Sequence, residues 1–409
     1  MYCRHCKEKL NTVFINLGKS PPSNSYLKKN ELNKKELHFP LNVLVCKGCW
    51  LVQTEDFANA KDLFNNDYAY FSSFSTSWLK HAEKYCLSII NKLNLNSNSL
   101  VIEVASNDGY LLQFFKEKNI SCLGIEPTKS TASVSRKKGI KTITEFFGSN
   151  LAIRLKNKDK LADLMIANNV LAHVPDINDF LTGFNILLKS TGVATFEFPH
   201  LVNLVQKNQF DTIYHEHFSY LSLTSINDIM KKNNLEIFDV KKLTTHGGSL
   251  RVYVQKKYDG NKTITKRVFD LLKSEDTLGI RSLKFYNGFF KKSKLIKNEF
   301  INFLNIKKKQ GKKVAAYGAA AKGNTLLNYA GVKDDLIAYV VDKNPSKQNK
   351  YMPGSHIKIV DEEYLKKDKP DFIVILPWNL IKEVKEQLSY TKKWNARLVT
   401  AIPSLKVFK

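Results

Sequence analysis

Through the middle of the chain, short apolar runs alternate with amphipathic segments of helical period. The runs are typical of buried parallel strands, and they lie at residues 100–105, 122–125, 161–167 and 193–197. The segments between the first three runs predict helices at residues 110–118 and around 132–138. Because strands that alternate with helices favour parallel pairing, we predict an α/β fold with a central doubly wound sheet.

Other patterns flank this central region on both sides. Residues 60–98 predict helix, with an amphipathic run at 78–93 that the polar cluster at 94–99 ends. Further along, residues 247–254 resemble a strand and residues 262–309 predict a charged helical connector. The strand–turn–helix pattern then restarts, with strands predicted at 313–318, 336–341 and 371–376. We therefore predict a second, smaller Rossmann-like unit, too short for a complete dinucleotide fold.

Four of the six cysteines lie in the first fifty residues and form two Cys-x-x-Cys pairs. The pairs are Cys3 with Cys6 and Cys46 with Cys49. Two such pairs supply four thiolates for one tetrahedral zinc ion, and four protein ligands leave no open position for catalysis. Disulfides are the weaker alternative in a reducing compartment. The sequence therefore predicts a structural zinc site.

Composition is ordinary except for charge. The chain is 43% hydrophobic and 25% charged, as in an average soluble globular protein. Its formal net charge of +26 is unusual and raises nucleic-acid binding as one interpretation. The lysines are spread through every segment, however, without a dense basic block or a recognised nucleic-acid motif. We therefore expect no nucleic-acid partner and assign the charge to attraction of an anionic substrate.

Targeting signals are the next consideration. No apolar run approaches the roughly 20 residues that a membrane-spanning helix needs. The first residues lack the apolar core of a signal peptide. We expect a cytoplasmic protein without a membrane partner, and a monomer.

The first apolar strand leads into a turn of small residues that opens a helix. Ser106, Asn107 and Gly109 form this turn, where an adenosyl cofactor can approach the backbone closely. Glu103 lies near the end of the strand, and Glu126 follows the next strand, where an acid can accept hydrogen bonds from ribose hydroxyls. The nicotinamide fingerprint G-x-G-x-x-G is absent here, which favours S-adenosylmethionine over a dinucleotide. The alternative is a generic α/β turn with exposed acids.

Histidines gather at positions where a ligand could bind. His173 follows the strand predicted at 161–167, and Asn168 and Asn169 precede it and would line the cofactor pocket. Residues 214–217 place a phenol, two imidazoles and a carboxylate side by side. Imidazole is the side chain best matched to proton transfer near neutral pH. Metal ligation and purely structural histidines remain alternatives.

The density of acid–base groups bears on the kind of atom that is methylated. Oxygen and nitrogen nucleophiles often need only positioning. A carbon nucleophile must be made by removing a C–H proton, which is feasible next to a ketone if donors stabilise the enolate. The histidine-rich stretch therefore favours carbon as the methyl acceptor.

Several motifs in order carry a family resemblance along almost the whole chain. They are the two Cys pairs, the run at 103–109, Tyr-His-Glu-His-Phe-Ser-Tyr at 214–220, His-Gly-Gly-Ser-Leu-Arg at 246–251 and Tyr-Gly-Ala-Ala-Ala-Lys-Gly-Asn at 317–324. Together they resemble the sugar C-methyltransferases of deoxysugar pathways. The resemblance implies methylation at C-3 of a nucleotide-linked, usually dTDP-linked, 4-keto-6-deoxy sugar. It also implies a zinc-binding domain, a methyltransferase domain and a C-terminal Rossmann-like domain that helps hold the nucleotide.

The resemblance also implies roles for particular residues. The catalytic set that it implies is Tyr214, Glu216, His217, His173 and Tyr68, with Tyr70 as an alternative counterpart of Tyr68. The substrate-binding set that we predict is Tyr70, His215, His246, Arg251, Lys322 and Asn324. Glu126 matches the acid that binds the cofactor ribose. The predicted domains are 1–62 for zinc, 63–260 for methyl transfer, 261–310 for the helical connector and 311–409 for the nucleotide sugar.

The predicted mechanism begins with His217 removing the proton from sugar C-3. Tyr214 or His173 would hydrogen-bond the enolate oxygen, and the carbanion would then attack the sulfonium methyl group. Two rival classes remain. One is an O- or N-methyltransferase that acts on another small molecule, and the other is a zinc-bearing, nucleic-acid-binding methyltransferase.

Overall fold

A computed structural model describes residues 1–55 and 71–408 of the chain. Its strands are β1 Thr12–Ser20, β2 Phe39–Val45, β3 Val52–Thr54, β4 Leu100–Val104, β5 Ser121–Ile125, β6 Thr142–Ile143, β7 Ala162–Asn168, β8 Leu188–Pro199, β9 Ser219–Tyr220, β10 Leu235–Leu243, β11 Ser249–Lys256, β12 Val314–Tyr317, β13 Val340–Val341, β14 Ile359–Val360, β15 Phe372–Ile375, β16 Arg397–Thr400 and β17 Lys406–Phe408. Its α-helices are α1 Thr76–Leu93, α2 Leu112–Glu117, α3 Lys129–Lys137, α4 Ser149–Lys156, α5 Ile177–Leu187, α6 Leu201–Gln206, α7 Leu223–Lys232, α8 Lys266–Thr277, α9 Leu283–Tyr286, α10 Phe289–Lys309, α11 Ala321–Ala330, α12 Glu362–Asp368 and α13 Ile381–Gln387.

The central sheet has seven strands in the order β10-β11-β8-β7-β4-β5-β6. The strands from β8 to β6 pair in parallel, and β11 and β10 add an antiparallel edge. The order in which strands are added reverses between β4 and β7, so the crevice beyond their carboxyl ends is the place where an α/β sheet binds its ligand. This is the doubly wound sheet that the apolar pattern predicts.

The C-terminal sheet has six strands in the order β14-β13-β12-β15-β16-β17, and all but β17 are parallel. Its own switch point lies between β12 and β15, where the turn at 318–322 faces the segment at 376–379. Strand β13 covers only the end of the run predicted at 336–341. The predicted second Rossmann-like unit is thus present.

An N-terminal sheet, which the apolar pattern did not predict, has the order β1-β2-β3-β9. Strand β9 lies about 165 residues beyond β3 in the chain, directly after the histidine-rich stretch. The sheet packs against α10, where the ring of Phe14 stacks on that of Phe289 with 4.6 Å between ring centroids. The helical segment predicted at 262–309 therefore joins the cores of two sheets.

Helix α1 shows how local chemistry sets an element's ends. The Ser75 hydroxyl accepts a hydrogen bond from the Trp78 N–H, which satisfies a donor of the first turn. Asn94 ends the helix with a left-handed φ of 52°. The predicted helix at 78–93 is thus confirmed with two extra residues at its start. Among the described residues, no helix is long and apolar enough to cross a membrane.

Candidate active site

The four cysteines of the predicted zinc site lie together. Their Sγ atoms are all within 4.8 Å of one another, with 3.6 Å between Cys3 and Cys49 and 3.4 Å between Cys6 and Cys46. Tetrahedral thiolates at about 2.3 Å from zinc stand about 3.8 Å apart, so the cluster fits the ion. It is also the only group of three or more potential ligands in the described part of the chain. The geometry therefore does not favour metal ligation by the histidine-rich stretch.

The turn after β4 is held in an unusual backbone conformation. Ala105, Asn107 and Gly109 have φ values of 53°, 49° and 74°. A Cβ atom on Gly109 would come within 2.6 Å of Ile140 Cδ1 and 2.9 Å of Ser135 Oγ. Only glycine fits there without displacement, so the turn packs tightly on α3 and leaves its other side for a ligand.

Glu126 closes this turn from the neighbouring strand. The Asn107 N–H donates to its Oε2 and the Thr128 N–H donates to its Oε1, both at 2.9 Å. Burial raises the pKa of Glu126, and the backbone donors lower it. The side chains of Thr128 and Thr131 also hydrogen-bond this carboxylate. Its place beyond β5 is where the sequence predicts an acid for the ribose hydroxyls.

Buried acceptor atoms without partners line the same sheet edge. Among described residues, no hydrogen-bond partner exists for Glu103 Oε2, Ser106 Oγ, Asn168 Oδ1 or Asn169 Oδ1. Burial also raises the pKa of Glu103 well above its usual value. Buried polar atoms rarely stay unsatisfied. S-adenosylmethionine offers amino, hydroxyl and ammonium donors and a positive sulfonium, so the predicted cofactor fits this acceptor-rich edge.

Two imidazoles meet beyond this edge. The rings of His173 and His217 lie 4.6 Å apart between centroids. Nδ1 of His173 is 2.7 Å from the Glu216 carbonyl oxygen, and Nδ1 of His217 is 2.8 Å from the Thr212 carbonyl oxygen. Because a carbonyl oxygen only accepts, both Nδ1 atoms carry the proton and both Nε2 atoms carry a lone pair.

Burial keeps these imidazoles neutral. It lowers the pKa of His173 to about 4 and that of His217 well below 6.5. The positive charge of Lys322 further lowers the pKa of His217. Burial and then Lys322 lower the pKa of His246 to about 4. All three groups are therefore unprotonated at neutral pH.

Tyr214 and Glu216 flank His217 in different ways. The Tyr214 ring lies against the His217 ring, with 3.9 Å between centroids. Oε1 of Glu216 accepts from the Asn24 side-chain amide at 3.0 Å, while its Oε2 has no partner in residues 1–55 and 71–408. Burial raises the pKa of Glu216. The loop around Asn24 thus joins the N-terminal region to the histidine pair.

His246 connects the cofactor edge to the histidine pair. Asn169 Nδ2 donates to His246 Nε2 at 3.2 Å, and the Trp78 ring lies 5.3 Å from the His246 ring between centroids. His246 has a left-handed φ of 52° and precedes two glycines whose φ values are also positive, 85° and 125°. The turn thus aims its imidazole at the cofactor edge.

The switch point of the C-terminal sheet opens onto the same region. Lys322 is half-buried, donates to Asn379 Oδ1 at 2.8 Å and lies 5.1 Å above the Trp378 ring centroid. Trp378 Nε1 donates to Asp211 Oδ2 at 2.7 Å. Burial raises the pKa of Asp211 to about 6, although Lys322 opposes this. Asp211 lies only three residues before Tyr214, so two domains meet at this point.

Three predicted substrate residues are engaged elsewhere. His215 Nε2 lies 3.2 Å from the carbonyl oxygens of Phe39 and Pro40, so its ring faces the N-terminal sheet. Arg251 donates to Glu197 Oε2 at 2.6 Å inside the central sheet. Asn324 donates to the Ser23 carbonyl oxygen at 2.6 Å. The substrate roles of these three residues stay predictions. Tyr68 and Tyr70 lie outside the described residues, so their roles also stay predictions.

The sequence patterns missed several residues of this region. His81 and Thr245 join Arg251 around the buried carboxylate of Glu197. Burial would raise the pKa of Glu197, but His81 and Arg251 lower it to about 2. Trp78 stacks on His81 with 4.9 Å between ring centroids. Glu197 ends the strand predicted at 193–197, and an acid at that position is a usable signal for a site. Nothing local marks Trp78, His81, Asp211 or Trp378.

Three family models match the chain in sequence. Residues 3–64 match "Putative zinc binding domain", residues 78–240 match "Methyltransferase domain" and residues 244–403 match "C-methyltransferase C-terminal domain". The C-methyltransferase NovU of Streptomyces niveus is 30% identical over 405 residues, which is 99% of this chain and 96% of that protein.

Two solved structures are similar to less than half of the chain. The PH0226 protein of Pyrococcus horikoshii OT3 is 14% identical, with a TM-score of 0.39, over 46% of this chain and 95% of that one. The magnesium protoporphyrin IX methyltransferase of Synechocystis PCC 6803 is 13% identical, with a TM-score of 0.34, over 43% of this chain and 82% of that one. Since its 30% identity with NovU extends over nearly all of both sequences, this chain belongs to the C-methyltransferases, S-adenosylmethionine-dependent enzymes with an N-terminal zinc-binding domain.

Proposed function

We propose that the protein methylates C-3 of a dTDP-linked 4-keto-6-deoxy sugar through an enolate. The observation that carries this proposal is the state of His217, a buried, neutral imidazole whose Nδ1–H is bound by the Thr212 carbonyl. Its Nε2 is thereby left as a base. Such a base is needed for a carbon acceptor and is often unnecessary for oxygen or nitrogen.

The proposed proton transfer runs from sugar C-3 to His217 Nε2. The C–H bond breaks, its electron pair moves into the C-3–C-4 bond, and the C-4 carbonyl oxygen becomes the enolate oxygen. The Thr212 carbonyl keeps its hydrogen bond to Nδ1–H and so supports the imidazolium that forms. S-adenosylmethionine supplies the electrophilic methyl group that the carbon then accepts.

Between the two predicted enolate donors, the hydrogen-bonding pattern supports Tyr214. Neutral His173 uses its one N–H on the Glu216 carbonyl, so its Nε2 cannot donate. The Tyr214 ring lies against that of His217, and a phenol O–H can donate a hydrogen bond. We therefore assign Tyr214 as the donor to the enolate oxygen and His173 as a group that packs on the base.

The switch point of the C-terminal sheet supports a nucleotide-linked substrate. Ligands of open α/β sheets bind beyond the carboxyl ends of strands at such points. Here that position holds a half-buried cation, Lys322, above the ring of Trp378. The charge suits a diphosphate. Lys322 is also close enough to lower the pKa of His217, which is consistent with one substrate reaching both groups.

A product and exchange experiment tests the proposal. The enzyme is incubated with S-adenosylmethionine and dTDP-4-keto-6-deoxyglucose that is deuterated at C-3. We expect mass spectrometry and NMR to show one added methyl group on C-3, with loss of the deuterium to solvent. The matched control is the 4-hydroxy sugar, which cannot form the enolate and should not react. A methyl group on oxygen or nitrogen would refute the carbon mechanism.

Replacement of the base provides a second test. We expect His217→Asn to lower kcat by about 10²-fold or more while S-adenosylmethionine affinity, measured by calorimetry, stays unchanged. His38→Asn is the control, because His38 is exposed on a loop of the N-terminal region. Near-normal turnover by a folded His217→Asn protein would refute the assignment of the base.

A further inference from the structure

The histidine-rich stretch is continuous with the sheet that carries the zinc site. Strand β9 follows His217 and Phe218 in the chain and pairs antiparallel with β3. In this pair Val52 lies opposite Tyr220 and Gln53 lies opposite Ser219. Strand β3 begins three residues after the last zinc ligand, Cys49. The pairing of β3 with β9 therefore brings the metal site close to the proposed base, although the two are far apart along the chain.

Thr54, at the end of β3, holds the main chain of His217. Its Oγ1 donates to the His217 carbonyl oxygen at 3.1 Å, and its N–H donates to the Phe218 carbonyl oxygen at 3.2 Å. Thr54 is buried, so water does not readily replace these bonds. His217 is thus held twice, with its ring bound by Thr212 and its backbone bound by Thr54.

Gln53 joins the same strand to the zinc ligands. Its Nε2 donates to Cys3 Sγ at 3.2 Å, and its Oε1 accepts from the Arg4 N–H at 2.9 Å. The side chain is fully buried. Hydrogen bonds of this kind orient a metal ligand and stabilise the bound metal.

Arg4 adds a second connection from the first Cys pair. Its guanidinium donates to the Thr54 carbonyl oxygen at 2.9 Å and to the Pro175 carbonyl oxygen at 3.0 Å. It also lies 5.3 Å from the ring centroid of Phe218. The first Cys pair therefore contacts β3, the chain after His217 and the segment after His173.

We propose that Gln53 and Thr54 are positioning residues that couple the zinc site to His217. Gln53 orients the zinc ligand Cys3 through its side chain. Thr54, the next residue of the same strand, hydrogen-bonds the backbone of His217 and so holds the base in place. The zinc-binding domain thereby sets the place of a catalytic group while contributing no catalytic group of its own. The catalytic part of this inference rests on the proposed function, in which His217 is the base, whereas the coupling itself does not.

The first test replaces the Thr54 hydroxyl. We expect Thr54→Val to lower kcat about tenfold, because one buried hydrogen bond of about 1.4 kcal/mol is lost, with S-adenosylmethionine affinity unchanged. Thr54→Ser restores the hydroxyl and should recover kcat. Thr12→Val is the matched control, since Thr12 lies on β1, two strands away from β3. Equal kcat values for Thr54→Val and the wild type would overturn the proposal.

The second test measures coupling without catalysis. We expect Gln53→Leu to release zinc to a chromogenic chelator about 10-fold to 100-fold faster than the wild type. Hydrogen–deuterium exchange at residues 217–220 should quicken in the same variant, and removal of zinc from the wild type should do the same. Faster zinc release with unchanged exchange at 217–220 would overturn the proposal.

The two tests separate this inference from the proposed function. If His217→Asn keeps full activity while Gln53→Leu quickens both zinc release and exchange, the assignment of the base fails and the coupling stands. If His217→Asn is inactive while Gln53→Leu changes neither readout, the base stands and the coupling fails. Thermal unfolding of each variant shows that the measured protein is folded.

Discussion

Three imidazoles occupy one connected region of the molecule: that of His217, which is buried, and those of His173 and His246, which are half-buried. Each has a main-chain or amide partner at one ring nitrogen: the Glu216 carbonyl, the Thr212 carbonyl and the Asn169 amide. The carbonyls leave Nε2 of His173 and His217 as acceptors, whereas Asn169 occupies Nε2 of His246. Of the three, His217 is the one that we propose as the base, and the Tyr214 ring lies against its ring.

The lowered pKa values predict an unusual pH dependence. A base works in its unprotonated form, which persists at pH values above its pKa. Because burial lowers the pKa of His217 well below 6.5, we expect kcat/KM to stay constant as pH falls through 6.5 and to decline only at lower pH. The measurement is initial rate at low substrate concentration in constant ionic strength. If kcat/KM instead fell with a midpoint at or above pH 6.5, the base could not be a buried imidazole with a lowered pKa.

The same groups link pH to stability. Unfolded chains bind a proton on each histidine near pH 6.5, while folded His173 and His246 bind one only near pH 4. The unfolded state therefore gains protons first as pH falls, and the free energy of unfolding decreases across that window. Circular dichroism at each pH separates this loss of folded protein from titration of the base.

At the scale of elements, two strand–turn–helix units share the same hydrogen-bonding arrangement. Glu126 follows β5 and accepts from the Asn107 N–H in the turn after β4. Asp342 follows β13 and accepts from the Ala319 N–H in the turn after β12, at 2.8 Å. In each unit an acid beyond the second strand fixes the backbone of the turn beyond the first. The turns are thereby preorganised for ligands at two neighbouring switch points.

The turn after β4 predicts a specific effect of adding one methyl group. Gly109 has a φ of 74° and its Cβ would meet Ile140 and Ser135, so Gly109→Ala combines backbone strain with crowding. We expect a loss of roughly 2–4 kcal/mol in the free energy of unfolding, and weaker S-adenosylmethionine binding. Urea denaturation and calorimetry measure the two effects.

Gly331 offers the control that separates strain from crowding. Its φ is 67°, close to that of Gly109, but no atom lies within 4 Å of a Cβ placed there. Gly331→Ala should therefore cost only about 1 kcal/mol and leave cofactor binding unchanged. Equal losses for the two substitutions would show that the packing of Gly109 on α3 contributes nothing.

At the scale of the whole molecule, three sheets converge on one region. The central sheet brings the cofactor edge, the C-terminal sheet brings Lys322 and Trp378, and the N-terminal sheet holds the stretch that contains His217. Asn324 and Tyr26 tie the first and last parts of the chain together, through the carbonyls of Ser23 and Ala319. The proposed site is therefore assembled from residues more than 300 positions apart.

The proposed nucleotide position predicts a separation of affinities. We expect Lys322→Met to weaken competitive inhibition by dTDP about tenfold, because a charge-assisted hydrogen bond to a phosphate is lost. S-adenosylmethionine affinity should not change, since that ligand binds at the central sheet. Lys366→Met is the control, because Lys366 is exposed and paired with Glu363 in the same domain. Equal inhibition of wild type and Lys322→Met would exclude Lys322 from the nucleotide site.

Much of the fold was predictable because its signals are local. The apolar runs indicated β4, β5, β7 and β8 of the central sheet, and the restart of the same pattern indicated the C-terminal sheet. The N-terminal sheet escaped, since β3 and β9 are only three and two residues long and β9 joins it from far along the chain. Short strands with distant partners leave no periodic pattern.

By itself, the sequence determined the zinc ligands, the cofactor turn and the crowding of acid–base groups at 214–217. Each of these features depends on the spacing of residues that are close together in the chain, and that spacing can be read from the sequence. Only the tertiary structure decided that Arg251 pairs with Glu197, that His215 faces the N-terminal sheet and that Nδ1 of His217 faces the Thr212 carbonyl oxygen. Burial, ion pairing and tautomer are set by groups that folding brings within hydrogen-bond distance, and the linear order of residues does not contain those distances.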